Sequence, residues 1–189
     1  MKKIHKRRFL GALSLAVLAG PLAGFAADKT EDQLIAELAS PNETKVTDAL
    51  LQLEKKYPTS TKAFPTMKKL LKDPRAKVRR KAARVLGVLH ADVDQENIKD
   101  ICALLKASDT REIMDGLIAL RGLKAQSAVP EIVPFLKHAH PNVIRDACRT
   151  LAVLGTKELI PEIEPLLKHS DAKVKLDAQD AIYKLRSKS

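Results

Sequence analysis

Three histidines stand where imidazoles could converge on a divalent ion: His138 and His169 hold equivalent places 31 residues apart, and His140 follows His138 by two. Three ring nitrogens near one edge have the donor chemistry of a transition-metal site. No acidic ligand is fixed beside them and the surrounding segments read as exposed turns, so the expectation is that no metal is held. Cys102 and Cys148 are the second chemical pair. Cys148 falls in a column otherwise filled by Ala83 and Leu117, which suits a small buried hydrophobe. Cys102 lies beside an apolar position of the preceding unit, so a disulfide between the two is one possibility. The third group is ionic. Asp115, Asp146 and Asp177 share one column, and Arg80 and Arg145 precede it, a spacing that allows a ladder of ion pairs from one unit to the next.

No nucleophile, base and orienting group fall in a recognisable arrangement, and the seven glycines are scattered rather than gathered into a phosphate-binding loop. The expectation is a protein without catalytic residues and without a cofactor.

These residues have to be positioned by helices. Leu89, Leu123, Leu154 and Leu185 stand 34, 31 and 31 residues apart. Met67, Ile101, Ile132 and Ile163 repeat with them, as do Leu71, Leu105, Leu136 and Leu167, which together make one face of a first helix. A second helix carries Ala82, Gly116, Ala147 and Ala178, followed by Leu86, Leu120, Leu151 and Ile182. A small residue at i and a large one at i+4 lie on one side of a helix. A weaker first unit supplies Leu34, Leu38, Ala49 and Leu53. The spacing predicts an all-α chain, an α-solenoid of about five antiparallel helix pairs, in which each pair covers the apolar face of the next because no single pair can bury enough surface to fold alone. Thr30 and Gln33 have the spacing of a capping box at the start of the first helix. In the last unit Gln179 replaces the apolar residue of its column, a polar surface suited to ending the array, and the chain is expected to be complete at Ser189.

The stretch from Asp73 to Leu89, with Val78-Arg79, Ala82-Ala83 and Val85-Leu86-Gly87, resembles the second helix of the short HEAT-like repeat. Pro130-Glu-Ile-Val-Pro-Phe-Leu136 and Pro161-Glu-Ile-Glu-Pro-Leu-Leu167 are similar to its first helix. The resemblance runs from about Thr30 to Leu185 and implies a superhelical stack whose second helices line a concave surface. Unit three departs from it, since Glu112 and Ile113 replace Val-Arg, which leaves a one-residue shift of that helix start open. On such a surface the candidate partner-binding residues are Arg80, Lys81 and Arg84 in unit two, Met114, Asp115 and Ile118 in unit three, Arg145, Asp146 and Arg149 in unit four, and Leu176, Asp177 and Asp180 in unit five. Two readings of them stay open: a ladder of mutually satisfied charges, or a groove with Met114 and Ile118 as apolar contacts near its middle.

Residues 1–26 read as a secretory signal peptide, with 27–189 as the repeat domain. Lys2, Lys3, Lys6, Arg7 and Arg8 open it, Phe9 to Leu18 form an apolar core, Gly20-Pro21 breaks it, and Gly24-Phe25-Ala26 offers a cleavage site. Arg7-Arg8-Phe9-Leu10 leaves twin-arginine export open beside the general route. The apolar stretch is short for a bilayer, so a stable membrane anchor is not expected. Removing the leader's five basic residues from 34 leaves 29 against 23 acidic ones, a net charge of +6 in place of +11. That weakens a nucleic-acid partner and points to a periplasmic or secreted scaffold that binds a protein or extended peptide. Two alternatives follow from similar repeats elsewhere: a DNA-binding enzyme resembling the HEAT-like alkylpurine DNA glycosylases, suggested by the Lys/Arg-rich second helix of unit two, and a protein resembling the phycobilisome lyases.

Overall fold

Each of the five expected pairs is present. The computed structural model describes residues 28–188, and among them there is helix and no strand. The first pair is α1 (Glu31–Glu37) with α2 (Glu43–Lys56), the second α3 (Phe64–Leu70) with α4 (Ala76–Val88), and the third α5 (Gln95–Leu104) with α6 (Thr110–Gly122). In the fourth, α7 (Val129–Ile132) is flanked by short 3-10 segments and pairs with α8 (Pro141–Leu154). In the fifth, α9 (Ile160–Ile163) is flanked in the same way and pairs with α10 (Ala172–Arg186). The signal-peptide reading falls on residues outside those described. Among the described residues, no helix is long and apolar enough to cross a membrane.

The chain punctuates its own helices. Thr30 accepts from the Gln33 amide while the Gln33 side chain accepts from the Thr30 amide, so the expected capping box is formed. Asn42, Asp94, Asp109 and Asp171 accept amides at the starts of α2, α5, α6 and α10 in the same manner. Pro65, Pro130 and Pro161 occupy first-turn positions, where the missing N–H costs nothing. Pro134 and Pro165 fall one turn later and cannot donate to the carbonyl four residues back, so the first helices of units four and five tighten into 3-10 turns over Val133–Lys137 and Glu164–Lys168.

Second helices pack side by side in the order α2, α4, α6, α8, α10, and each first helix lies against its own second helix. One continuous apolar core results, running from Leu34 to Leu185. Leu86, Leu120 and Leu151 have no exposed surface, and Ala82, Ala147 and Ala178 beside them have none either. Where α4 crosses α6 the backbones come closest: a Cβ added to Gly122 would sit 2.1 Å from the carbonyl oxygen of Gly87.

Two expectations need correction. Unit three is not shifted, because α6 begins at Thr110, 34 residues after Ala76, in step with the repeat. Instead the buried contact moves within the helix. Glu112 takes the place of Val78 and Val143 and lies 3.6 Å from Arg79, while Ile113, one residue on, enters the core. The second correction is Leu167, which is 37% exposed although Leu71, Leu105 and Leu136 of its column are buried. In unit four the equivalent turn is covered by α9 of the next unit. Among the described residues no further unit covers unit five, and Leu166 turns inward there.

His90 and Lys124 close α4 and α6 with φ of 50° and 53°, the left-handed conformation that glycine adopts without strain. His90 is compensated by donating from Nδ1 to the Gly122 carbonyl at 2.8 Å, a bond from unit two to unit three. Lys124 has no such bond. Lys124→Gly is therefore expected to raise stability by about 1 kcal/mol, read from thermal or urea unfolding, whereas His90→Gly gains less because it surrenders the inter-unit bond. Equal gains at both positions would contradict this account of His90.

Candidate functional site

The charged column of the second helices resolves into two closed clamps and one open seam. Asp115 on α6 faces two arginines of α4: Arg80 Nε lies 3.1 Å from Oδ2, and Arg84 Nη1 donates to Oδ1 at 3.4 Å. Asp177 on α10 faces two arginines of α8, with Arg145 Nε at 2.7 Å and Arg149 Nε at 2.9 Å. Each clamp ties one second helix to the next, and its arginines are about a turn apart because i and i+4 lie on one face. The ladder expected from the sequence exists, with a second arginine per rung. Arg84 and Arg149 belong to it as much as Arg80 and Arg145, and their spacing of four was the signal that could have shown this.

Asp146 is a correction to the expected exposed surface. It stands in the same column but is only 7% exposed. In register with Arg80 and Arg84 of α4, α6 carries Met114 and Ile118, both half-buried. Its one ion pair is with Arg149 Nη1 at 3.7 Å on its own helix. Burial pushes the Asp146 carboxyl up, against the pull of Arg121, Arg149 and Arg145. Arg121, further along α6, is pushed down by its own burial, although Asp146 raises it, and its Nη1 has no hydrogen-bond partner. Sequence reading missed Arg121 because it sits outside the column that carries the other arginines.

A carboxyl whose folded pKa lies above its unfolded value of about 3.9 contributes stability while protonated. That contribution is complete below the unfolded value and is lost as pH rises through the folded one. Asp146→Asn is therefore expected to be more stable than the parent at pH 7, with the difference closing on acidification towards the ordinary carboxylate range. Unfolding curves across that window check it, and a variant less stable at pH 7 would contradict the assignment.

Elsewhere on this face, Lys81 has no carboxylate within ion-pair distance among the described residues. Leu176 is 64% exposed, and Asp180 pairs with Lys184 at 2.7 Å. The Lys/Arg-rich segment that suggested DNA binding is largely neutralised from within. Arg75 pairs with Asp73, Lys77 with Glu43, Arg79 with Glu112, Lys72 with Glu96, and Arg80 and Arg84 with Asp115.

The histidines do not converge on a metal. His138 Nδ1 accepts from the His140 amide at 3.0 Å, His140 Nδ1 from the Asn142 amide at 3.2 Å, and His169 Nδ1 from the Asp171 amide at 3.0 Å. They shape the turns before α8 and α10, and His138 also stacks on Phe135. Among the described residues no three His, Cys, Asp or Glu side chains are grouped to share an ion.

The disulfide that the sequence left open is not formed. Cys102 and Cys148 are both free thiols. Burial, complete at Cys148 and partial at Cys102, pushes the Cys102 thiol up to about 11 and the Cys148 thiol to about 12. Both stay protonated and slow to react at pH 8. Titration with a thiol reagent should show little reaction in the folded protein and two thiols after denaturation; an intact mass two hydrogens short would reject the free pair.

The geometry can now be set beside known proteins. Residues 98–183 match the HEAT repeats family. No curated protein matches the sequence. Among solved structures, the complex of CpcE and CpcF of phycocyanin lyase from Nostoc sp. PCC7120 is 22% identical with a TM-score of 0.73, covering 88% of this chain and 68% of that one. A designed armadillo repeat protein in complex with a (KR)4 peptide is 18% identical with a TM-score of 0.63, over 81% of this chain and 80% of that one. An engineered protein is 20% identical with a TM-score of 0.66, over 83% and 79%. At these identities the likeness concerns the fold. The repeat match over residues 98–183, the all-helical stack and these neighbours show a HEAT-like helical repeat fold.

Proposed function

We propose that this chain is an exported scaffold without catalytic activity of its own, which holds a protein or extended peptide on the surface formed by its second helices. One observation carries the reading. Among the described residues six large apolar side chains are exposed, and five of them, Leu51, Val88, Val153, Leu176 and Tyr183, lie on second helices. Leu51 and Val88 line a depression of about 510 Å³ together with Glu54, Pro58 and His90. The clamps support the same reading, because they hold α4 to α6 and α8 to α10 before any partner arrives, so little ordering opposes binding. Two of the similar structures are complexes, one with a partner protein and one with a peptide. The lyase-like alternative rests on fold likeness alone.

The structure changes how the reading is tested. Reversing the charges of Arg80, Arg84, Arg145 and Arg149 would break both clamps as well as any groove, so loss of binding would be ambiguous. Val88→Ser combined with Val153→Ser touches exposed side chains instead and should change stability by less than about 1 kcal/mol. Crosslinking in cells followed by mass spectrometry is expected to join a partner to the second helices of the parent and to lose at least ten-fold in the double variant. Fractionation of the same cells should place a leader-free chain outside the cytoplasm. Crosslinks confined to the first helices, or a cytoplasmic chain of full mass, would reject the proposal.

A further inference from the structure

We propose that the rim formed by the turns between first and second helices in units three to five holds an extended acidic polypeptide, with a carboxylate at every third residue. The rim is a second contact surface, independent of the second-helix face. Lys106, Lys137 and Lys168 hold one place in successive units, 31 residues apart. All three are exposed, and among the described residues none has a carboxylate within ion-pair distance. In unit two the same place belongs to Lys72, which Glu96 already holds, with Asp100 at 3.6 Å. Arg111 and Lys173, exposed and unpaired in the same way, stand on the second-helix side of the turns of units three and five. Turns of successive units are neighbours: Arg75 donates to the Ser40 and Pro41 carbonyls of the unit before it, at 3.2 and 3.0 Å.

The carboxylates of this rim are engaged by the backbone. Asp109 accepts the Arg111 amide at 2.9 Å, and Asp171 accepts the Lys173 and Val174 amides at 2.7 and 3.1 Å. Segments 106–111, 137–142 and 168–173 thus set five cations against these two carboxylates. The opposite rim, over 57–63, 89–94, 123–127 and 155–159, is balanced, with three lysines against three acidic residues. Positive charge is therefore concentrated on one edge of the stack and draws a negative partner there. Spacing identifies that partner. Packed helices lie about 8 to 10 Å apart, so one lysine per unit makes a row with about that interval. An extended chain rises about 3.3 Å per residue, so every third side chain meets a lysine, and a compact ammonium suits a single carboxylate. A bilayer surface would instead be held by apolar side chains entering it as well as by charge, and among the described residues Leu167 is the one large apolar side chain exposed beside this rim.

The probe is acetyl-Asp-Ser-Ser-Asp-Ser-Ser-Asp-amide, set against acetyl-Ser-Ser-Asp-Asp-Asp-Ser-Ser-amide, which has the same composition and charge. Amide NMR of the full chain follows both at low ionic strength. The spaced peptide is expected to shift residues 106–111, 137–142 and 168–173 saturably and to bind at least about three-fold more tightly than the clustered one, since the cluster reaches one lysine at a time. Lys106→Gln with Lys137→Gln and Lys168→Gln should weaken the spaced peptide by at least about ten-fold. Lys69→Gln with Lys99→Gln and Lys157→Gln lowers the net charge equally at other exposed, unpaired lysines and should stay within about two-fold of the parent. Both triple variants are expected to melt as the parent does, which separates loss of binding from unfolding. Equal binding of the two peptides, equal losses in the two triple variants, or no saturable shift at the rim would each overturn the inference. Vesicles of phosphatidylglycerol and phosphatidylcholine in a ratio of about one to three that bind the parent and not the first triple variant, with the spaced peptide shifting nothing, would overturn it in favour of a membrane surface. A partner crosslinked to the second helices of a chain that ignores the spaced peptide overturns the rim alone, and rim binding in a chain without those crosslinks overturns the second-helix reading alone.

Discussion

Gly122→Ala is expected to lower stability by about 3 kcal/mol, even though alanine is the better helix former by about 1 kcal/mol. The new Cβ would meet the Gly87 carbonyl oxygen at 2.1 Å and its carbon at 2.6 Å. These are backbone atoms of the neighbouring helix, so no side chain can rotate away and α4 must move from α6. That movement strains the Arg80 and Arg84 contacts with Asp115 and the His90 bond to the Gly122 carbonyl. Gly87→Ala should behave similarly, because its Cβ would lie 2.5 Å from the Ala119 Cα. Gly116→Ala is the control within α6. There the nearest atom is Leu105 Cδ2 at 3.1 Å, the end of a flexible side chain, and the same column holds alanine in units two, four and five. It should change stability by less than about 1 kcal/mol. Urea unfolding of the three variants checks the prediction, and a Gly122→Ala protein as stable as the parent would mean that the close crossing is not what holds these helices.

Leu151→Ala should cost about 3 to 4 kcal/mol. Leu151 has no exposed surface and lies on α8, between α6 and α10. Truncation costs more where the surroundings cannot collapse into the space left. Here α8 is held by the Arg145 and Arg149 bonds to Asp177 on one side. On the other, the buried Thr150 hydroxyl lies 2.7 Å from the Asp146 carbonyl of its own helix and 3.2 Å from the Leu117 carbonyl across the seam. Ile182→Ala removes the equivalent side chain from α10, which no further unit covers among the described residues. It should cost about 2 kcal/mol, with local relaxation making up the difference. In a stack where each unit is stabilised by its neighbours, the Leu151 variant should also broaden the unfolding transition, as units one to three and unit five lose their common support. A larger loss at Ile182 than at Leu151 would contradict this.

The repeat, its five helix pairs and the columns of the core were legible in the amino-acid sequence because they depend on local periodicity. A residue four positions from another shares its helix face whatever surrounds the helix. The same locality made the Thr30 to Gln33 cap readable, and it placed Asp115, Asp146 and Asp177 in one column. It did not distinguish them. Asp115 and Asp177 became clamp centres because the adjacent helix presents two arginines to each at 2.7 to 3.4 Å, whereas the one ion pair of the buried Asp146 is with Arg149 of its own helix. Two cysteines left a bridge open, and three histidines are not expected to hold a metal, because pairing and ligation both require convergence in space. The Nδ1 atom of each histidine instead accepts from an amide two residues on. Composition also suggested a free basic surface on α4, whereas the packed units match most of its charges with carboxylates brought from sequence positions about 30 residues distant. Local spacing determined which residues share a helix face; only the stacking of one unit on the next decided which charges are satisfied, because ion pairing and burial depend on distances between helices that no single helix contains.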